Sequence, residues 1–221
     1  MKNIKYVGES VEPAFSTPIF YTHVDGFEYD VQEMETKLQS HFYENELQPN
    51  TLNSNIPNIL LHDDYKHIRH VIEPAMEKYA YEVLKLPREN KLRLVDSWMA
   101  VGTPGSITNE HMHINSLFSG AFYLFSQPNA GVFTLSMPES HPTYCTPTVK
   151  PEPSEWNIFN NHYWSFEPQT NDLIIFPSHV YHRVSPNNSG TIRVVLAFNY
   201  FLDGVISTNS TGRLTLKCTE E

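Results

Sequence analysis

From residue 91 onward the chain breaks into short apolar or alternating runs with turn chemistry between them. Strands are expected near 92–101, 107–113, 118–126, 131–136, 163–167, 172–176, 180–184, 191–201 and 211–217. They are separated by Thr103-Pro104-Gly105, Pro128-Asn129-Ala130-Gly131, Gln169-Thr170-Asn171-Asp172 and Pro186-Asn187-Asn188. Many short strands at close spacing point to a sandwich or barrel. The 12 Tyr and 13 Phe agree, because aromatic side chains suit half-buried strands.

The first 90 residues follow another pattern. AFSTPIFYTHV, residues 14–24, reads as an early strand, with Pro18 suited to a sheet edge. Asp30 can then cap a helix with Glu33 as its capping-box partner. Val31, Met34, Leu38 and Phe42 share one face of it, and the helix is expected to end near Asn45. Residues 46–62, with Pro49 and Pro57, read as a polar loop. Asp63 or Asp64 opens a second, longer helix through Ile68, Val71, Ile72, Ala75, Tyr79 and Val83, with Pro74 predicting a kink or a later start. We expect a single domain over residues 1–221, mainly β with flanking helices, in which residues 1–90 brace a core at 91–221. No internal repeat interrupts it.

Charge narrows the partners. With 15 basic and 25 acidic residues the formal charge is −10, so the overall field repels a long polyanion and nucleic acid is an unlikely ligand. A small anion held by local positive charge stays open. Cys145 and Cys218 are the only cysteines, and MKNIKYVGES has no apolar leader segment, so a reducing, cytoplasmic compartment is the expectation. No window approaches the roughly 18 consecutive apolar residues of a membrane span. Asn187 and Asn209 head N-x-S/T sequons, read here as turn chemistry.

The chemistry concentrates in FPSHVYHRV, residues 176–184, and TIRVVLAFN, residues 191–199, together with an earlier HxH at His111 and His113. On a strand, residues two apart point to one face, so His111 and His113 can aim at one point while Met112 faces away. His182 supplies a third direction from a distant strand, leaving half of a metal's coordination sphere open. Arg193 lies in the otherwise apolar IRVVLAF, where a guanidinium is costly to bury unless an anion meets it. A dicarboxylate would do so, with Tyr123 adding a phenolic hydrogen bond and Asn115 and Asn199 lining the same cavity. Plainer readings stand beside these: an HxH arising by chance among 11 histidines, Arg193 paired with Asp172, and Tyr123 as an ordinary core aromatic.

SW at 97–98, HMHINSLFSGAFYL at 111–124, NDLIIFPSHVYHRVSPN at 171–187 and RVVLAFN at 193–199 together resemble the 2-oxoglutarate and Fe(II)-dependent dioxygenases. The likeness is greatest to the functionally unassigned oxygenases of that superfamily from phages and bacteria. It implies a double-stranded β-helix, the cupin-like jelly roll, with Fe(II) and 2-oxoglutarate as cofactors. It also implies His182 as distal metal ligand and Arg193 as partner of the 2-oxoglutarate tail. O2 would be the second co-substrate, and succinate and CO2 the products of hydroxylating a peptidyl or small-molecule substrate. Two positions depart from the superfamily pattern: His113 stands where a carboxylate is usual, and Val195 where relatives often carry serine. The third ligand is therefore His113 or, in a second assignment, Asn115. Residues 127–170, with Tyr144, Trp156, Phe159, Tyr163 and Trp164, form an aromatic insert suited to covering the site's mouth. Two alternatives are a cupin-type three-histidine metal enzyme without 2-oxoglutarate and a catalytically silent jelly-roll binding module.

Overall fold

The computed structural model describes residues 10–11, 13–33, 36, 42–46, 48–137, 151–206, 212 and 214–217. Met34, Leu38, His41, His141, Tyr144, Cys145, Asn209 and Cys218 lie outside them. The strands, in chain order, are β1 (Phe20–His23), β2 (Phe42–Glu44), β3 (Thr51–Ser54), β4 (Lys91–Gly102), β5 (Thr108–His111) and β6 (Phe118–Phe125). They continue with β7 (Phe133–Ser136), β8 (Tyr163–Phe166), β9 (Asp172–Pro177), β10 (Tyr181–Val184), β11 (Arg193–Val205) and β12 (Thr215–Leu216). The helix α1 (Lys66–Glu77) precedes the main run of strands.

All pairings are antiparallel, and they build two sheets. The larger runs β1-β9-β6-β11-β4-β3-β2, with β12 also on β11, and the smaller runs β5-β10-β7-β8. This is the double-stranded β-helix that the resemblance implies, and it agrees with the sandwich or barrel expected from the strand spacing. On β11, Val194, Leu196 and Phe198 join the larger core, whereas Val195 joins a second cluster containing Ala121, Tyr123, Phe133, Ile174, Phe176 and Val184. That alternation is the period of two of a strand buried on both faces. One face of the large sheet packs on the helix, and the other meets the small sheet around the chemically interesting side chains. Gly120 is required by this packing: a Cβ there would stand 2.2 Å from the Phe198 ring and 2.7 Å from the Ile174 carbonyl oxygen.

Burial of Ile68, Ile72 and Met76 fixes the core-facing stripe of α1. The predicted second helix is therefore present, opened by a 3-10 turn at Asp63–Tyr65. Pro74 does sit inside it, and the winding loosens to π-helix over Lys78–Val83 just beyond. A proline removes one backbone donor and crowds the carbonyl four residues back, and a wider turn is one way a helix absorbs that.

The first predicted helix starts as expected. The Glu33 amide donates to Asp30 Oδ1 at 2.9 Å, and residues 31–33 and 36 are helical. It does not reach Asn45, because Phe42–Glu44 is a strand that forms a hairpin with Thr51–Ser54 inside the span expected to be loop. β3 pairs with β4 through Thr51, Leu52 and Asn53, so edge pairing overrides a weak local preference. Strand 107–113 also ends early, at His111, and within 211–217 the described residues hold a strand at Thr215–Leu216. Pro18 precedes β1, an edge strand whose one partner among the described residues is β9.

Two polar knots fasten the corners. Asp172, buried, accepts from the Tyr21 hydroxyl, from His23 Nδ1 at 2.9 Å and from the Gln169 amide at 2.8 Å, clamping β1 to the start of β9. Asn187, 1% exposed, sends Nδ2 to the carbonyl oxygens of Gly102 (3.1 Å) and Thr191 (2.8 Å). Its Oδ1 accepts from Ser189 Oγ at 2.7 Å, and its backbone exchanges hydrogen bonds with Gly105 and Ser106.

Candidate metal centre

β5 and β10 are neighbours, and their register sets His111 directly across from His182. His113 lies two residues past the end of β5, held by its amide's bond to the Ser178 carbonyl oxygen at 3.0 Å. The three rings converge. One potential ligand atom from each lies within 4.8 Å of the other two, and the Nε2 atoms of His113 and His182 are 3.3 Å apart. With metal–nitrogen bonds of about 2.1 Å, two imidazoles sharing one ion have nitrogens roughly 3.0 Å apart in octahedral and 3.4 Å apart in tetrahedral geometry. The observed spacing falls within that range.

Carbonyl partners orient two of the rings. His182 Nδ1 faces the Val180 carbonyl oxygen at 3.2 Å and His111 Nδ1 faces that of Asn109 at 2.8 Å. A proton on each Nδ1 donates to the carbonyl and leaves the Nε2 lone pair for a metal. Burial, followed by the neighbouring imidazoles, pushes His182 down to about 3, and burial followed by His111 pushes His113 down to about 4. Both rings are thus neutral, the form that binds metal, throughout the physiological range. Trp98 stacks against His113 with centroids 5.6 Å apart, and Phe133 and Phe176 pack on His182.

Arg193 is buried at the start of β11, 4% exposed. Nη1 donates to the Ala130 carbonyl oxygen at 2.5 Å, and among the described residues no carboxylate pairs with it. Asp172, the plainer partner, is instead occupied by Tyr21, His23 and Gln169. Burial lowers the Arg193 pKa, Tyr123 opposes the shift, and burial raises the Tyr123 hydroxyl. Two glycines make room for the guanidinium: a Cβ on Gly131 would stand 2.7 Å from Nη1, and one on Gly102 3.2 Å from Nη2. Gly131 also has φ +114, which other residues rarely adopt. The same Gly131 point is 3.1 Å from Val184 Cγ1, so the guanidinium lies beside Val184. His182 is two residues back on that face of β10, about 7 Å by the rise of an extended strand.

The remaining sequence candidates divide. Tyr123 is 1% exposed and lies on the Val195 side of β6. Asn199, 7% exposed, accepts from Ser119 Oγ at 2.7 Å, and that hydroxyl also meets Ser178 Oγ. Asn115 is exposed in a left-handed turn with φ 57. In the aromatic insert, Trp156, Phe159, Tyr163 and Trp164 are all at least 40% exposed. Sequence reasoning gave no role to Trp98 and did not single out Ser106 or Ala130. Only the Pro128–Gly131 turn signal hinted at the last.

The fold and the triad together define a jelly-roll protein with a three-histidine candidate metal centre. Residues 96–199 match the family described as Putative 2OG-Fe(II) oxygenase. Solved structures agree in fold. HygX from Streptomyces hygroscopicus with nickel and 2-oxoglutarate bound is 12% identical, covers 84% of this chain and 83% of its own, and has a TM-score of 0.55. The non-heme alpha-ketoglutarate-dependent epimerase SnoN from nogalamycin biosynthesis is 12% identical over 91% and 86%, with a TM-score of 0.59. A Pseudomonas putida prolyl-4-hydroxylase is 13% identical over 84% and 93%, with a TM-score of 0.52. No curated protein sequence matches the chain. Among the described residues no helix is long and apolar enough to cross a membrane.

Proposed function

We propose that the chain acts as a single-domain Fe(II)- and 2-oxoglutarate-dependent dioxygenase that hydroxylates a C–H bond of a peptidyl or small-molecule substrate. The observation that carries this reading is Arg193, a buried cation with no carboxylate partner among the described residues, beside Val184 and so two residues along β10 from His182. Terminal carbons of a five-carbon dicarboxylate are about 5 Å apart by ordinary bond lengths, so one molecule spans from the histidines to the guanidinium. His111, His113 and His182 would hold the metal, and Arg193 and Tyr123 the far carboxylate. Bound there, the iron and 2-oxoglutarate would supply the electrons that activate O2, the 2-oxoglutarate leaving as succinate and CO2.

The protein's own share is positioning and exclusion of water. Neutral imidazoles present lone pairs without first shedding protons, and the carbonyls of Asn109 and Val180 keep the rings turned. Ala121, Phe133, Ile174 and Phe176 form an apolar wall that keeps water from a reactive centre. A third imidazole in place of a carboxylate leaves the ion one charge more positive. Arg193 disfavours the three-histidine reading without 2-oxoglutarate, since it would leave the guanidinium with no anion. Hydroxylation is the outcome we favour by analogy with the prolyl-4-hydroxylase neighbour, although the neighbours SnoN and SnoK are named as an epimerase and a carbocyclase.

Anaerobic titration of the purified protein with Fe(II) and then 2-oxoglutarate tests the reading. A visible charge-transfer band that is lost in Arg193→Ala, with succinate formed on admitting O2, is the expected result. Absence of both the band and succinate rejects it.

A further inference from the structure

Beside Arg193 sits a buried hydroxyl without a partner. Ser106 is fully buried, and its Oγ has no hydrogen-bond partner. Buried hydroxyls are rarely left so, because the lost hydration is not recovered. Its place in the fold is well determined. It follows the Thr103-Pro104-Gly105 turn, its amide donates to the Thr103 carbonyl oxygen at 2.9 Å, and its own carbonyl accepts from the Asn187 amide at 2.9 Å. The turn returns Ser106 to the inner face of β4, where Gly102 lies opposite Arg193. A Cβ on Gly102 would stand 2.4 Å from Ser106 Oγ and 3.2 Å from Arg193 Nη2. The hydroxyl and the guanidinium thus both crowd the place that a side chain at position 102 would take, and they do not bond to each other.

We infer that Ser106 is a binding residue for the distal carboxylate of the dicarboxylate co-substrate: its hydroxyl donates to one carboxylate oxygen while Arg193 donates to the same group. The inference rests on the proposed function and adds to it a residue from outside the segment around Arg193. Val195 lies two residues beyond Arg193 on the same face of β11 and has no donor to offer. Ser106 supplies one from the neighbouring strand's end. A carboxylate is the ligand chemistry that satisfies both groups at once, since it accepts several hydrogen bonds and carries the charge that the buried guanidinium lacks. Asn187 acts only through position, by holding the turn that carries Ser106.

The test is a comparison of two ligands on two proteins, read by calorimetric titration of nickel-loaded protein. The ligands are 2-oxoglutarate and 2-oxopentanoate, which has the same carbon chain and keto acid head but a methyl in place of the distal carboxylate. Ser106→Ala is expected to weaken 2-oxoglutarate about tenfold to a hundredfold, the range for a hydrogen bond to a charged group. Its effect on 2-oxopentanoate should be less than about twofold, and nickel affinity should be unchanged. Equal weakening of both ligands, or unchanged 2-oxoglutarate affinity, overturns the assignment. Arg193→Lys on the same plate separates the two levels. If wild type itself binds no 2-oxoglutarate, the proposed function fails, whereas a weakened Arg193→Lys beside an unaffected Ser106→Ala removes Ser106 alone.

Discussion

Replacing Arg193 by Met should make the metal-free, ligand-free protein more stable while abolishing its affinity for 2-oxoglutarate. In the folded chain the guanidinium is 4% exposed and, among the described residues, has one hydrogen bond, to the Ala130 carbonyl oxygen. Replacing buried charged groups with apolar side chains of similar volume gains about 1–4 kcal/mol. The lost bond to Ala130 takes back about 1 kcal/mol. A net gain of about 1.5 kcal/mol corresponds to a rise in Tm of roughly 3–6 °C for a chain of this size. Differential scanning calorimetry of both proteins without ligand measures it. Adding 2-oxoglutarate at about a hundredfold its Kd to nickel-loaded protein should then stabilise wild type by about 2.7 kcal/mol and leave Arg193→Met unmoved. A fall of about 10 °C in the ligand-free variant would refute the reasoning, because breaking a satisfied buried ion pair destabilises by about 3–5 kcal/mol. Arg193 would then be part of the scaffold.

His111→Ala and His182→Ala are each expected to lose stoichiometric iron, measured by elemental analysis after anaerobic loading; full occupancy in either variant takes that residue out of the centre. The metal-free protein should lose stability as pH falls from about 6.5 toward 4, since His182 and His113 protonate in the unfolded chain at pH values where the folded protein keeps them neutral. Both folded pKa values are depressed, so this contribution is complete above the unfolded value and drains away below it. Urea midpoints in that window should drop for wild type and flatten in His182→Ala, and a wild-type profile already flat would contradict it. Gly120→Ala should cost about 3 kcal/mol or more in a chemical melt, because its methyl would stand 2.2 Å from the Phe198 ring.

The strands after residue 91 were legible because each carries its own alternation and is closed by a turn whose residues have a mechanical reason to be there. The hairpin of Phe42–Glu44 and Thr51–Ser54 was not. Its strands are three and four residues long, and they exist because β4 offers an open edge, which no local pattern announces. For the site, His182 and Arg193 could be picked out because costly side chains stood at inward positions of apolar strands, and HxH by its spacing, although His113 lies past the end of β5. Ser106, Ala130 and Gly131 could not, since nothing nearby in sequence says which cavity they line. Their roles come from β4 lying antiparallel to β11 with Gly102 opposite Arg193. Trp98 belongs to the same group, its stacking on His113 arising from the path of the chain after β5.

Asn187 heads an Asn-Asn-Ser acceptor sequence, yet its amide nitrogen is spent inside the molecule on the carbonyls of Gly102 and Thr191. An oligosaccharide on that atom and the finished corner are mutually exclusive. A chain that acquired the sugar while being made in a secretory host could not close the turn carrying Ser106. Production in such a host would divert material into misfolded glycoprotein, and Asn187→Gln would remove the acceptor only by dismantling the same knot.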